Sequence, residues 1–127
     1  RDCIQCNTIV KINEYQNIES NNEKILKRAV AQQPVSVAIQ ANHFSFQHYS
    51  SGVFSDQTCG TNLDHGVLIV GYGYDLYSDM EYWLVKNSWG DTWGENGYIR
   101  IQKGINNSSG LCGIAMIPSI PLLEELD

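Results

Sequence analysis

No apolar run in this chain is long enough to span a bilayer, so a membrane-spanning helix is not expected. Basic residues are scarce: 8 Lys plus Arg stand against 14 Asp plus Glu, a formal net charge of −6. Neutralising a phosphate backbone requires the opposite balance, and nucleic acid is not an expected partner. Metal ligands at a recognisable spacing are also missing. Cys3-Ile4-Gln5-Cys6 fits a Cys-x-x-Cys template. No second ligand pair follows at zinc spacing and no βαβ pattern surrounds it, so neither a metal, a redox role nor any other cofactor is expected. The chain opens at Arg1 rather than a methionine, without a basic-apolar-small leader. No repeat or low-complexity linker divides its 127 residues, which suffice for one modest core. The expectation is a processed or truncated portion of a longer chain.

What is present is a mainly β pattern with one clear helix. Thr8-Ile9-Val10-Lys11-Ile12 alternates as a strand leading to Tyr15. Asn21 and Asn22 are candidate N-caps for a helix over residues 23–32, with Ile25, Leu26, Ala29 and Val30 on one face and Pro34 as the stop. Pro34-Val35-Ser36-Val37-Ala38-Ile39 reads as a strand, and the aromatic segment Phe44-Ser45-Phe46-Gln47-His48-Tyr49 as a helical turn ended by Ser51-Gly52. Residues 75–81 read as a polar hairpin tip, Tyr98-Ile99-Arg100-Ile101-Gln102 as another strand, and residues 118–127 as an extended tail. His43 and His48 belong to no motif and read as surface or half-buried residues beside aromatics.

Asp64-His65-Gly66 stands before Val67-Leu68-Ile69-Val70-Gly71-Tyr72-Gly73, a buried strand ending at glycines, and Tyr82-Trp83-Leu84-Val85-Lys86-Asn87 reads as the strand returning beside it. His65 then opens one strand and Asn87 closes its antiparallel neighbour, so the two meet at one end of a sheet. A histidine acts as a general base when one ring nitrogen faces the nucleophile and a partner fixes the other. The amide oxygen of Asn87 suits that role: it accepts from the ring in either charge state and biases the imidazolium less than a carboxylate would. Cys-His-Asn is an established variant of the nucleophile-base-orienter triad.

Gln33-Pro34-Val35-Ser36-Val37-Ala38-Ile39, Cys59-Gly60, Leu63-Asp64-His65-Gly66-Val67, Val70-Gly71-Tyr72-Gly73, Tyr82-Trp83-Leu84-Val85-Lys86-Asn87-Ser88-Trp89-Gly90, Trp93-Gly94-Glu95-Asn96-Gly97-Tyr98 and Cys112-Gly113-Ile114 span most of the chain. In order, they are similar to the second half of papain-family cysteine peptidases, plant ones especially. The resemblance implies an α+β, mainly β fold: an antiparallel, β-barrel-like C-terminal lobe over residues 1–127, with the N-terminal lobe and its nucleophilic cysteine absent. In that family the histidine and asparagine lie roughly 130 to 150 residues after the nucleophile, a distance carried over from the family rather than read from this chain. Only 64 residues precede His65, and none of Cys3, Cys6, Cys59 or Cys112 has the glycine, small and aromatic neighbours of the nucleophile signature. The isolated chain is therefore expected to be inactive.

The resemblance assigns further roles. His65 and Asn87 would be catalytic, Trp89 would shield their hydrogen bond from water, Trp93 would stand near the leaving-group side or simply pack, and Asp64 would modulate charge or cap. Ala38, Leu63, Gly66 and Ile117 resemble walls of an apolar pocket for the second side chain before the scissile bond, implying a preference for Leu, Val or Phe there. Cys59 and Cys112 match a disulfide of this lobe; one of Cys3 and Cys6, more readily Cys3, resembles a cysteine whose partner lies upstream, and the other is an addition that is free, pairs with a further upstream cysteine or bonds to its neighbour. Departures are few: Asp91-Thr92 replaces small residues, and Ile120 a frequent tyrosine. Asn106-Asn107-Ser108-Ser109 holds two overlapping glycosylation acceptors. Together with the cysteines they suggest the secretory pathway, and a vacuole, lysosome or extracellular location. Expected partners are peptide and protein substrates, the absent lobe and proteinaceous cysteine-protease inhibitors. The competing reading is a non-catalytic storage, allergen or binding protein with a replaced nucleophile.

Overall fold

A computed structural model of the chain describes residues 10–125. Cys3, Cys6 and the first two residues of the strand expected from Thr8 lie outside them. In chain order the elements are β1 (Val10–Asn17), α1 (Glu23–Val30), β2 (Val35–Ile39), α2 (Phe44–Gln47), β3 (Val53–Phe54), β4 (His65–Asp75), β5 (Met80–Lys86), β6 (Tyr98–Gln102), a 3₁₀ turn at Leu111–Gly113, and β7 (Ser119–Glu125). No helix among the described residues is long and apolar enough to cross a membrane.

The start of α1 follows from Asn22, whose side chain accepts from the Ile25 amide at 3.1 Å and satisfies one of the orphan N–H groups of the first turn. Glu23 in the first turn and Lys27 and Arg28 in the last complement the helix dipole. The helix is two residues shorter than its periodicity predicts. The amides of Gln32 and Gln33 both return to the Ala29 carbonyl, at 3.0 and 3.2 Å. Pro34 disfavours the α region for the residue before it, so the last turn tightens instead of continuing. Leu26 and Val30 are buried from this face.

The strands form one seven-stranded sheet in the order β1-β7-β2-β4-β5-β6-β3. Its pairings are antiparallel except β3 with β6. The mainly β, antiparallel form expected is present; among the described residues β1 and β3 are the end strands, so the sheet does not close completely. The predicted extended tail is instead largely β7, paired with β1 from Asn17 opposite Ser119 to Val10 opposite Glu125, with an irregularity between Ile12 and Glu14. Pro121 and the acidic end mask the strand pattern locally; pairing with residues about 100 positions away in sequence supplies what the local pattern lacks.

Alternation places one face of the sheet in the core. Val35, Val37 and Ile39 of β2, Val67 and Ile69 of β4, Trp83 and Val85 of β5, and Ile99 and Ile101 of β6 are all buried. The Trp83 indole N–H donates to Glu23 Oε2 at 3.0 Å, which ties α1 to β5. Cys59 and Cys112, both buried, form a disulfide with Cα atoms 5.1 Å apart.

Arg100 projects from β6 between two carboxylates. Its guanidinium donates from Nε and Nη2 to Glu95 at 2.9 Å each and from Nη1 to Asp75 at 3.0 Å. The Glu95 carboxyl is held below its ordinary value chiefly by Arg100, and the Asp75 carboxyl chiefly by the Ser78 hydroxyl and amide with Arg100 assisting. Arg100→Leu is expected to destabilise the protein by about 1.5 kcal/mol, because the paired charge-assisted hydrogen bonds to the part-buried Glu95 carboxylate are lost, and loss of the bond to Asp75 acts in the same direction. Both pKa values are depressed on folding, so the stabilisation is present above the ordinary carboxylate values of 4.5 and 3.8 and lost as pH falls through the folded values. Urea unfolding of both proteins from neutral to acid pH checks this: the gap should hold near neutrality and close in acid.

Candidate active site

His65 is the first residue of β4, opposite Ile39 of β2. Asp64 fixes its approach: the Asp64 amide donates to the Ile39 carbonyl at 3.0 Å, and Asp64 Oδ1 accepts from the Ala41 amide at 2.8 Å. Asp64 thus joins the two segments that end beside His65. Asn87 follows directly on β5, and its amide donates to the Gly97 carbonyl at 3.1 Å. The sheet therefore brings together two side chains 22 residues apart, and His65 Nε2 lies 2.7 Å from Asn87 Oδ1.

The direction of that hydrogen bond is determined by its neighbour. Ser88 also donates its amide to Asn87 Oδ1, at 2.8 Å. An amide oxygen only accepts, so the imidazole donates from Nε2, which leaves the Nδ1 lone pair available. Nδ1 has no hydrogen-bond partner among the described residues. Asn87 is 7 % exposed, and its Nδ2 is buried without a partner among the same residues. The amide is thus held by its oxygen, the atom that orients the imidazole.

Trp89 packs on the imidazole: its indole stacks on the His65 ring with centroids 5.1 Å apart and planes at 27°. Trp89 in turn rests edge-on against Phe46 at 5.7 Å and Trp93 at 5.2 Å. Trp93 packs on Phe46 and Tyr49 and donates its indole N–H to the Gln47 carbonyl at 3.0 Å. Gly94 lets the loop close under this cluster: its φ is +61°, and a Cβ there would lie 2.6 Å from the Tyr98 carbonyl oxygen. Burial raises the Tyr49 hydroxyl to about 12, so it stays protonated and donates to the Gly52 carbonyl. A cavity of 160 Å³ lies beside the pair, lined by Ala41, Asn42, Gln47, Asp64, His65 and Trp89.

The four candidate pocket residues are distributed differently. Ala38 and Gly66 are register partners on β2 and β4. Leu63 is half-buried and lies against Gly113 together with Met116, where a glycine Cβ would meet Leu63 Cδ2 at 2.7 Å and Met116 Sδ at 3.0 Å. Ile117 is 58 % exposed. The face shared by Ala38 and Gly66 runs on through Ser36 and Leu68 into an open groove of 580 Å³ that also includes Ile120, Pro121 and Leu122. Asn106 and Asn107 are exposed in the connection from β6 to the 3₁₀ turn, where Asn107 Oδ1 accepts from the Ser109 amide and hydroxyl at 3.1 and 2.9 Å. Phe46, Gln47 and Met116 were not singled out from sequence. Only the aromatic run around the first two hinted at a role; Met116 carries no motif signal.

Residues 2–122 match the family described as papain family cysteine protease, and the chain belongs to that family. Among its relatives, vignain of Ricinus communis is 56 % identical over 91 % of this chain and 32 % of that protein. The low-temperature-induced cysteine proteinase of Solanum lycopersicum is 53 % identical over 90 % of this chain and 32 % of that protein. The chain thus spans about a third of the length of these curated relatives. Among solved structures, the bromelain protease from Ananas comosus in complex with the E64 inhibitor is 49 % identical with a TM-score of 0.83, covering 89 % of this chain and 51 % of that one. The proform of the ragweed pollen allergen Amb a 11, a cysteine protease, is 46 % identical with a TM-score of 0.82, covering 92 % of this chain and 31 % of that one.

Proposed function

We propose that this chain is the His- and Asn-bearing C-terminal lobe of a cysteine endopeptidase whose nucleophilic cysteine lies upstream. The observation that carries the reading is the His65–Asn87 hydrogen bond beside Trp89, with His65 Nδ1 unpartnered among the described residues. In the assembled enzyme, the upstream thiol transfers its proton to His65, and the resulting imidazolium stabilises the thiolate. The thiolate sulfur attacks the peptide carbonyl carbon. His65 then gives its proton to the leaving nitrogen as the C–N bond breaks, leaving a thioester on the cysteine. Water, deprotonated by His65, displaces the sulfur and regenerates the thiol. Asn87 keeps the ring aimed throughout. Without the upstream sulfur the isolated chain has no turnover.

The same reading assigns the open face at Ala38, Gly66, Ser36 and Leu68 to the cleft and the absent lobe, with peptide substrates and proteinaceous inhibitors entering between them. Ala38, Leu63, Gly66 and Ile117 form the apolar side of the pocket for the second residue before the scissile bond, where burying one side chain contributes about 1.5 to 3 kcal/mol. Maturation in the secretory pathway, with a glycan on Asn106 or Asn107 and delivery to a vacuole or outside the cell, fits the Cys59–Cys112 disulfide. The test is a peptide-library profile of the full-length protein under reducing conditions. The expected result is cleavage with Leu, Val or Phe favoured at that position. A preference for acidic or basic residues there would reject the pocket, and no cleavage would reject the endopeptidase.

A further inference from the structure

Basic side chains are few in this acidic chain, yet three of them converge. Lys24 and Lys27 of α1 and Lys103, the residue after β6, line a cleft of 290 Å³ together with Glu23 and Gly104. They are three of only 8 Lys plus Arg in a chain of formal net charge −6. Glu23 does not pair with them: its Oε1 accepts from the Gly104 amide and its Oε2 from the Trp83 indole, each at 3.0 Å. Its two oxygens are therefore directed at protein donors. Lys103 is held in place, with Nζ 3.0 Å from Glu81 Oε1 and 5.5 Å from the centre of the Trp83 ring.

The other two lysines differ. Lys24 and Lys27 are both exposed and stand three residues apart, on neighbouring turns of one helix face. Among the described residues neither has a carboxylate within ion-pair distance. The Lys27 ammonium stands instead over the Tyr72 ring, 5.0 Å from its centre. The negative face of the ring positions the cation without accepting its protons as a carboxylate would. Tyr72 is itself fixed edge-on against Trp83, with centroids 6.3 Å apart. Both ammonium groups therefore retain donors for an acidic ligand.

An exposed aromatic ring adjoins them. Tyr74 lies two residues beyond Tyr72 on β4, about 7 Å along the strand and on the same face. It is 52 % exposed. It stands opposite Glu81, the partner of Lys103, and its hydroxyl donates to Asp79, which fixes the ring. Ammonium groups beside an exposed ring suit a ligand that offers carboxylates and a flat apolar face together. A sugar acid has both: its C–H bonds carry slight positive charge toward the aromatic face, and its carboxylate accepts charge-assisted hydrogen bonds from ammonium. An acidic peptide supplies carboxylates without the flat ring. We propose that this cleft binds an acidic polysaccharide built of uronic-acid units, with Lys24 and Lys27 taking carboxylates and Tyr74 a sugar face. Glu81, Asp79 and the net negative charge oppose long-range attraction, so the recognition is by contact and a short oligomer suffices. His65 and Asp75 are the two ends of β4, and the cleft lies toward the Asp75 end. The inference therefore does not rest on the endopeptidase reading.

The test is isothermal titration calorimetry of the full-length protein at neutral pH with a hexamer of galacturonic acid. Saturable binding is expected, weakening as salt rises from about 50 to 200 mM. Kd should rise about tenfold in the Lys24→Gln, Lys27→Gln double variant and about threefold in Tyr74→Ser. Lys86→Gln removes an exposed charge at the far end of β5, and it should change Kd by less than about twofold. These substitutions are at exposed positions, so melting curves should match the parent. If the double variant melts early, Lys24→Gln alone takes its place, with an expected rise of about threefold. A hexamer of glutamic acid should bind at least about tenfold more weakly than the sugar acid, and the methyl-esterified sugar should not bind. No saturable binding overturns the proposal, as does equal weakening by Lys86→Gln, which would reduce the effect to bulk charge. Equal affinity for the glutamate hexamer overturns it in favour of an acidic peptide, and equal affinity for the ester removes the role of the lysines. If the full-length protein cleaves no peptide, the endopeptidase reading fails while the titration still decides for or against the cleft.

Discussion

His65→Ala in the full-length protein is expected to lower kcat/KM for peptide hydrolysis by at least about 10⁴-fold. The size follows from the two roles proposed for the residue in each cycle. Without the imidazole, the thiol is no longer activated and the leaving amine has no acid within reach, so acylation loses both general-base and general-acid assistance. The variant should fold normally. His65 is half-buried at the start of β4, and its recorded polar contact among the described residues is the single bond to Asn87. Matching unfolding curves together with lost turnover would assign the effect to chemistry. Near-normal hydrolysis would refute the assignment, and a parallel loss of stability would transfer the residue to a structural role. Single-turnover kinetics with a peptide ester and a peptide amide is the appropriate measurement, because it separates acylation from substrate binding.

The second large effect is on stability. Replacing both Cys59 and Cys112 by alanine is expected to reduce unfolding free energy by about 4 kcal/mol in the chain-entropy model, since the bridge closes a separation of 53 residues. Removing both sulfurs avoids leaving a free thiol in the core. The loss should extend to the site, because the Gln40 amide donates to the Cys112 carbonyl at 2.9 Å and Gln40 Oε1 accepts from the Asn62 amide at 2.9 Å. Those contacts hold the segment leading to Asp64 and His65. Denaturant unfolding without reductant checks the prediction. An unchanged midpoint would mean that the sheet alone fixes this loop.

Much of the sheet was legible because local pattern and tertiary environment agree there. β4 and β5 carry apolar residues bounded by glycines and by a polar tip, and their buried positions alternate as half-buried strands require. The Asn22 cap and the Leu26 and Val30 face of α1 were similarly local. β7 was not, since Pro121 and the terminal glutamates give no strand pattern and its pairing is with β1, at the other end of the chain. For the site, His65 and Asn87 could be named because their neighbours form recognisable blocks. The orientation of the ring could not be read that way: it depends on the Ser88 amide converging on the same oxygen. His43 is half-buried, as its sequence reading expects, but its hydrogen-bond partners were not legible for the same reason. Ser45, Asp56 and Thr58 form no motif in sequence, and only the placement of α2 beside the loop after β3 brings them around one imidazole.

The central claim is that the imidazole of His65, held by Asn87 beside Trp89, serves a reactive thiolate supplied from the rest of the protein. Peptide mapping by mass spectrometry, after the native full-length protein is treated with a thiol-directed epoxide, tests it most directly. The account predicts one modified cysteine, located before Arg1, with labelling abolished or greatly slowed in His65→Ala. Absence of any label, or labelling at an unchanged rate in that variant, would contradict it.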